Sequence, residues 1–126
     1  LLLAVSSQHP LARLEHPVDV SDIDPSALLS LSDGHCLRDQ TPAVCQPSDL
    51  REATSCEQLP TLLALVRAQL GIAFVPGMFV RENNVRGVEF LNVRNPEPYR
   101  DINVMKRRGK KLSAIADELL KLISDW

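Results

Sequence analysis

Apolar and polar positions fall in alternating blocks along the chain. Leu1 to Val5 is an unbroken apolar run, which reads as a strand buried on both faces. Ser6 to Asp24 is polar and turn-rich, interrupted by Pro10 and Pro17, with room for one helical turn near Val18 to Ile23. Ala27 to Leu31 is strand-like again, Ser32-Asp33-Gly34 is a turn signal, Leu37 to Cys45 has the length of a short helix, and Leu50 to Thr54 reads as a weak strand. The clearest helix follows. Ser55 with Gln58 three residues later has the pattern of a capping box, and Leu59, Leu62, Leu63, Val66 and Leu70 mark one face at helical spacing. Gly71 is the expected stop. Pro60 falls near the start, so the pattern leaves the first turn of this helix open.

Ile72 to Val75 predicts a second buried strand, closed by Pro76-Gly77, and Met78 to Arg81 a short helix. After the loop Asn83 to Gly87, two more strands are predicted over Val88 to Val93 and Ile102 to Met105, separated by the stiff Asn95-Pro96-Glu97-Pro98. Arg107 to Lys111 is a basic turn. The last helix begins near Leu112, with Leu112, Ile115, Leu119, Leu122, Ile123 and Trp126 on one side and Asp117 spaced to pair with Lys121. Strands alternating with helices predict an α/β sheet with mostly parallel pairing.

Composition narrows the class without naming a function. The 126 residues are 44% hydrophobic and 24% charged with a net charge of −2, which suits one soluble domain and excludes a polyelectrolyte. No apolar run approaches the roughly 18 residues of a membrane span, and Leu1 to Val5 is too short for the core of a signal peptide. The chain opens on an apparent buried strand without an initiator Met, so it is expected to be a piece whose upstream part has been removed. Three cysteines, an odd count, favour free thiols in a reducing compartment over a disulfide framework. Their spacings of nine and eleven residues do not suit a zinc site, and no metal or cofactor is expected.

The densest polar stretch is Asp33-Gly34-His35-Cys36-Leu37-Arg38-Asp39-Gln40, between an apparent strand and an apparent helix. The carboxyl end of a strand is where open α/β sheets place their sites. At a helix start, unpaired N–H groups stabilise an anion, and His35 and Arg38 add nearby donors and positive charge, so Cys36 is a candidate acidic thiol. The competing reading makes it a small buried apolar residue. Cys45 lies nine residues on. On a regular helix the two Cα atoms would be about 13–14 Å apart, against the roughly 7 Å that a disulfide tolerates. A bond between them would require the helix to unwind, and Pro42 weakens that helix. Cys45 as a plain core residue remains the alternative. Cys56 follows Ser55 at the expected start of the next helix and reads as a mildly acidified thiol there or, alternatively, as a small buried apolar residue. His9 and His16 flank prolines and are expected to be exposed. Arg107, Arg108, Lys110 and Lys111 read as a solvated turn or, alternatively, a phosphate patch. Arg100 begins a predicted strand after the proline corner, aimed at a site or paired with Asp101 or Glu97.

Gly34-His35-Cys36-Leu37-Arg38-Asp39-Gln40 with Cys45 after it resembles the redox segment of the OxyR-type regulators, the peroxide-sensing branch of the LysR-type transcriptional regulators. Ser7-Gln8-His9-Pro10-Leu11-Ala12 resembles a turn common in LysR-type effector domains. Gly71-Ile72-Ala73-Phe74-Val75-Pro76 and Pro96-Glu97-Pro98-Tyr99-Arg100 resemble later stretches of the same domain. The resemblance implies a fold of the type II periplasmic-binding-protein kind. The chain would supply an incomplete C-terminal portion, with one subdomain complete and the other partial. It implies a peroxidatic Cys36, a resolving Cys45, and a peroxide pocket supported by His35, Arg38, Asp39, Gln40 and Arg100. It implies hydrogen peroxide as the signal, a thiol reductant for reset, and a homo-oligomer (dimer or tetramer) in the cytoplasm. DNA would be bound only through an N-terminal domain absent from this chain. The implied role is a sensor and not an enzyme. The alternatives are a LysR-type effector domain for a small organic ligand, with incidental cysteines, and a thiol peroxidase.

Overall fold

The computed structural model describes residues 1–15, 17–31, 55–82, 85–109 and 111–124. Its centre is a three-stranded sheet in the order β5 (Ala73–Val75), β1 (Leu2–Ser6), β6 (Val88–Leu91). The strand β1 runs antiparallel to both neighbours, with Leu3 opposite Phe74 on one side and Leu91 on the other. Among the described residues, parallel pairing is confined to three short places: β2 (Val18–Asp19) with β7 (Val93–Arg94), β3 (Ser30–Leu31) with β4 (Ser55–Cys56), and a bridge between Leu28 and Ile72. The sequence predicts mostly parallel pairing because strands alternate with helices along the chain, and that order usually builds parallel crossovers. Here the centre is antiparallel and covered on both faces.

Side chains alternate across the sheet. Leu3, Val5, Ile72 and Phe74 face one core with Val18, Val20, Ile23, Leu28 and Val93. Ala4, Ala73 and Val75 face the other with Leu29, Leu31, Leu62, Leu63, Val66 and Val88. The first core is roofed by the segment 10–28, which is built from three short 3-10 turns, Pro10–Arg13, Val20–Asp22 and Pro25–Ala27. Each is capped by the side chain of the residue before it. His9 Nδ1 accepts from Leu11 N, Asp19 Oδ1 from Ser21 N and Asp24 Oδ1 from Ser26 N. His9 is therefore a half-buried cap and not a free surface imidazole. His16 lies outside the described residues.

The second core is closed by α1 (Leu59–Arg67), whose Leu62, Leu63 and Val66 are buried. Pro60 stands in its first turn, where no intrahelical N–H is needed. The expected capping box is absent: Ser55 belongs to β4, and the helix starts after Gln58 without a side-chain cap. The stop differs too. Gln69 adopts φ +64°, its N–H reaches Val66 O (2.9 Å), and Leu70 N–H reaches Leu65 O (3.1 Å), the paired bonds of a Schellman end. Gly71 serves another purpose. A Cβ there would stand 2.4 Å from Ala27 O and 2.8 Å from Leu29 Cγ, because the backbone passes close under the 27–29 segment. Ile72 N–H donates to Ala27 O and Leu29 N–H to Ile72 O across the same seam.

The short helix α2 (Gly77–Glu82) follows β5 as expected. Residues Ile102 to Met105 do not form the predicted strand. They are irregular and exposed, Met105 by 92%. Ile102 and Val104 alternate as a strand would, but no strand partner stands beside them among the described residues. Helix α3 (Ala114–Ser124) is capped by Ser113, whose Oγ accepts from Ala116 N (3.2 Å). Its Ile115, Leu119, Leu122 and Ile123 are exposed, and Lys121 pairs with Glu118 (3.0 Å) instead of the expected Asp117. Trp126 lies outside the described residues.

Candidate functional site

The sheet ends gather around one edge. The Leu28–Ile72 bridge sets β3 parallel to β5, and β5 runs antiparallel to β1. The carboxyl ends of β3, β5 and β6 therefore point the same way as the amino end of β1. Residues 32–54 join the carboxyl end of β3, at Leu31, to the amino end of β4, at Ser55. In register, Ser30 stands opposite Ser55 and Leu31 opposite Cys56. Adjacent strands lie about 4.8 Å apart and rise about 3.3 Å per residue, so Leu31 and Ser55 are held within roughly 6 Å of each other.

His35, Cys36, Arg38, Asp39, Gln40 and Cys45, with the helix predicted over Leu37 to Cys45 and the strand over Leu50 to Thr54, lie outside the described residues. Among the predicted site residues, Arg100 is described. It does not begin a strand, because the chain is irregular from Glu97 to Arg107. Its position is fixed otherwise. Pro98 is buried, and its carbonyl accepts a 2.8 Å hydrogen bond from the Leu1 nitrogen. This ties the corner to the amino end of β1, the same edge from which residues 32–54 depart. Arg100 is half-buried with its Nε inaccessible to solvent, whereas the neighbouring Tyr99 is exposed. This arginine is thus partly withdrawn from solvent, unlike the residue before it.

The corner is anchored from the other direction by Asp19. Asn95, with φ +60° and a cis bond to Pro96, donates through Nδ2 to Asp19 Oδ2 at 2.6 Å. Arg94 Nε lies 3.8 Å from the same oxygen, and Ser21 donates twice to Oδ1. The Asn95 bond, then the Ser21 bonds, then the Arg94 charge hold the Asp19 carboxyl below its ordinary range. Sequence reasoning missed Asp19. Its only signal was an Asp two residues before a Ser, the spacing of a capped turn.

Cys56 is half-buried against the second core, and its Sγ donates to Gln58 O at 3.5 Å. It lies in β4 and not at the helix start that the sequence predicts. Among the described residues no group of three His, Cys, Asp or Glu side chains is placed to hold a metal.

A family model of the LysR substrate binding domain matches residues 1–126. The chain belongs to that family. Within it, the chain is 34% identical to a hydrogen peroxide-inducible genes activator of Haemophilus influenzae over 98% of its own length and 44% of that protein's. It is 36% identical to the DNA-binding transcriptional dual regulator OxyR of Escherichia coli, again over 98% of this chain and 41% of that one. The chain thus spans less than half the length of these relatives. The crystal structure of the reduced form of OxyR superposes with a TM-score of 0.72 at 36% identity, covering 98% of this chain and 56% of that one. The architecture is that of the periplasmic-binding-protein-like effector domain of the LysR family, as the sequence resemblance implies.

Proposed function

We propose that the chain is the redox-sensing part of the regulatory domain of a hydrogen-peroxide-responsive transcription regulator, switched by a Cys36–Cys45 disulfide. The observation that carries this reading is the similarity to hydrogen peroxide-inducible activators over nearly the whole chain, together with two cysteines nine residues apart in Gly34 to Cys45. In the reaction the Cys36 thiolate attacks one peroxide oxygen. The O–O bond breaks, a sulfenic acid forms, and the other oxygen leaves as water after protonation. The Cys45 thiolate then attacks the Cys36 sulfur, the S–S bond forms, and a second water leaves. One peroxide is reduced as two thiols are oxidised. An external thiol reductant restores both by exchange.

His35 and Arg38 stabilise the thiolate and orient peroxide, Asp39 and Gln40 support the local structure, and Arg100 completes the pocket. The placement of the Arg100 corner at the edge where residues 32–54 leave the sheet supports its assignment. The chain is a sensor and not an enzyme, since its own oxidised state is the output. It works in the cytoplasm in a homo-oligomer, dimer or tetramer, and reaches DNA through an N-terminal domain outside this chain. Residues 1–126 make up one complete subdomain and part of another. The exposed Ile102, Val104, Ile115, Leu119 and Leu122 support this, because such a surface calls for a cover.

Thiol counting tests the reading. Peroxide in slight excess is expected to remove two of the three free thiols and yield one cross-linked peptide containing Cys36 and Cys45. Cys36→Ser abolishes both changes, and Cys45→Ser leaves a dimedone-reactive sulfenate at Cys36. Three persistent thiols would favour an effector domain for a small organic ligand with incidental cysteines.

A further inference from the structure

Between Val93 and Arg100 the only buried residue is Pro98, and Arg94 to Glu97 are exposed in succession. Core packing therefore does not set the direction of this stretch. Pro96 and Pro98 each lock φ at about −65°, and Glu97, before a proline, is biased to extended backbone, so the stretch is stiff. A stiff stretch carries forward whatever direction it receives at its root. The root is Asn95, whose φ of +60° few residues other than Gly, Asn and Asp adopt.

Asp19 fixes that root. Its Oδ1 takes both donors of Ser21, the backbone N–H at 3.2 Å and Oγ at 2.9 Å, which holds the plane of the carboxylate. Oδ2 is then presented to Asn95 Nδ2, which donates at 2.6 Å. Asp19 stands opposite Arg94 in the β2–β7 ladder, so the acceptor sits one position from the residue that it holds. A hydrogen bond to a charged acceptor is about twice as strong as a neutral one, and on an exposed stretch it decides between conformations that packing leaves open. Farther along, Pro98 O accepts from Leu1 N at 2.8 Å. Arg100 follows two residues later, with its Nε withdrawn from solvent.

We propose that Asp19, acting through Asn95, is a positioning residue for Arg100. Its tie sets the direction in which the corner leaves β7, and hence where the guanidinium comes to rest. The consequence for peroxide rests on the proposed function, whereas the placement of Arg100 does not. The competing role is a plain staple between β2 and β7, which stabilises the chain without moving Arg100.

The test swaps the two partners. Asn95→Asp sets two carboxylates against each other and breaks the tie, and Asn95→Ala, which only removes the donor, is expected to act in the same direction. Asp19→Asn combined with Asn95→Asp restores the tie reversed, because the amide then offers Oδ1 to Ser21 and donates through Nδ2 to the new carboxylate. The first readout needs no peroxide. It is the exchange of the Arg100 Nε–H with water, followed by heteronuclear NMR and assigned by its loss in Arg100→Lys. Asn95→Asp is expected to speed that exchange about tenfold or more, and the swap to return it to the parent's rate. The second readout is the rate of Cys36 oxidation by peroxide. Asn95→Asp is expected to slow it about threefold or more, the swap to restore it, and Asn95→Asp to change nothing further in an Arg100→Ala background. Unchanged Nε–H exchange in Asn95→Asp, no recovery in the swap, or an oxidation loss that adds in full to that of Arg100→Ala would each overturn the proposal. Thiols that ignore peroxide in the parent overturn the redox reading alone, and the Nε–H exchange then still decides the placement.

Discussion

Leu31 and Cys56 are register partners across the parallel pair β3–β4. The last described residue before the cysteine segment is thus fixed against the third thiol of the chain. Cys56 packs on the second core and donates to Gln58 O. Cys56→Ala is expected to leave the loss of two thiols under peroxide unchanged and to cost about 1 kcal/mol of stability. Thiol counting and urea unfolding of the same variant check both halves. Loss of the peroxide response in Cys56→Ala would show that Cys56 is one of the reacting pair.

Arg100 is held at the edge where residues 32–54 leave the sheet. If it completes the peroxide pocket, Arg100→Ala slows oxidation of Cys36 at least tenfold, and Arg100→Lys recovers part of the rate because charge returns without the planar fork. Stopped-flow thiol oxidation across pH separates this from a structural effect. A pocket role moves the midpoint of the rate profile upward, whereas a merely structural role lowers the yield of folded protein and leaves the midpoint in place.

Gly71 tolerates no side chain. The added methyl of Gly71→Ala would meet the Ala27 carbonyl at 2.4 Å, backbone against backbone-bound carbon, so the 27–29 seam must shift. A loss of about 1–3 kcal/mol is expected by urea unfolding. Two residues earlier the sign reverses. Gln69 holds φ +64°, a conformation that glycine adopts freely, and its side chain is exposed. Gln69→Gly is expected to gain up to about 1 kcal/mol in the same assay.

Asp19 couples acid to the proline corner. Its carboxyl is held below the ordinary 3.8, so folding favours the ionised form. The contribution is complete above the unfolded-state pKa and is lost as pH falls through the lower folded one. Stability is thus expected to fall with acid below about pH 4. Asp19→Asn should flatten that part of the curve while leaving the region near pH 7 lower than in the parent. A parallel pH dependence in both proteins would show that Asp19 is not the group responsible.

How far the sequence reveals the fold depends on what each segment packs against. Leu1 to Val5 and Ile72 to Val75 were legible because both faces of each strand are buried, so the apolar run is unbroken. The same property hid the strand direction, which apolarity does not encode. Leu59, Leu62, Leu63 and Val66 marked α1 well inside its ends, but its start and stop depend on β4 and on a left-handed Gln69, which no local pattern announced. Ile102 to Met105 has a strand's alternation without a strand's neighbour. At the candidate site, residue types and spacing left Cys36 and Cys45 open between a reactive pair and plain core residues, the resemblance alone singled them out, and both lie outside the described residues. Asp19 escaped notice because its importance comes from Asn95, 76 positions away.

The β3–β4 ladder consists of two residues on each strand, Ser30–Leu31 and Ser55–Cys56. So small a clasp opens far more readily than the central sheet that it adjoins. Any covalent shortening between residues 32 and 54 would pull first on these two rungs, and beyond them on Leu59 at the root of α1. Tension generated at a thiol pair would then surface as unfastening of one helix's footing, while Leu3, Val5 and Val75 stay locked behind it.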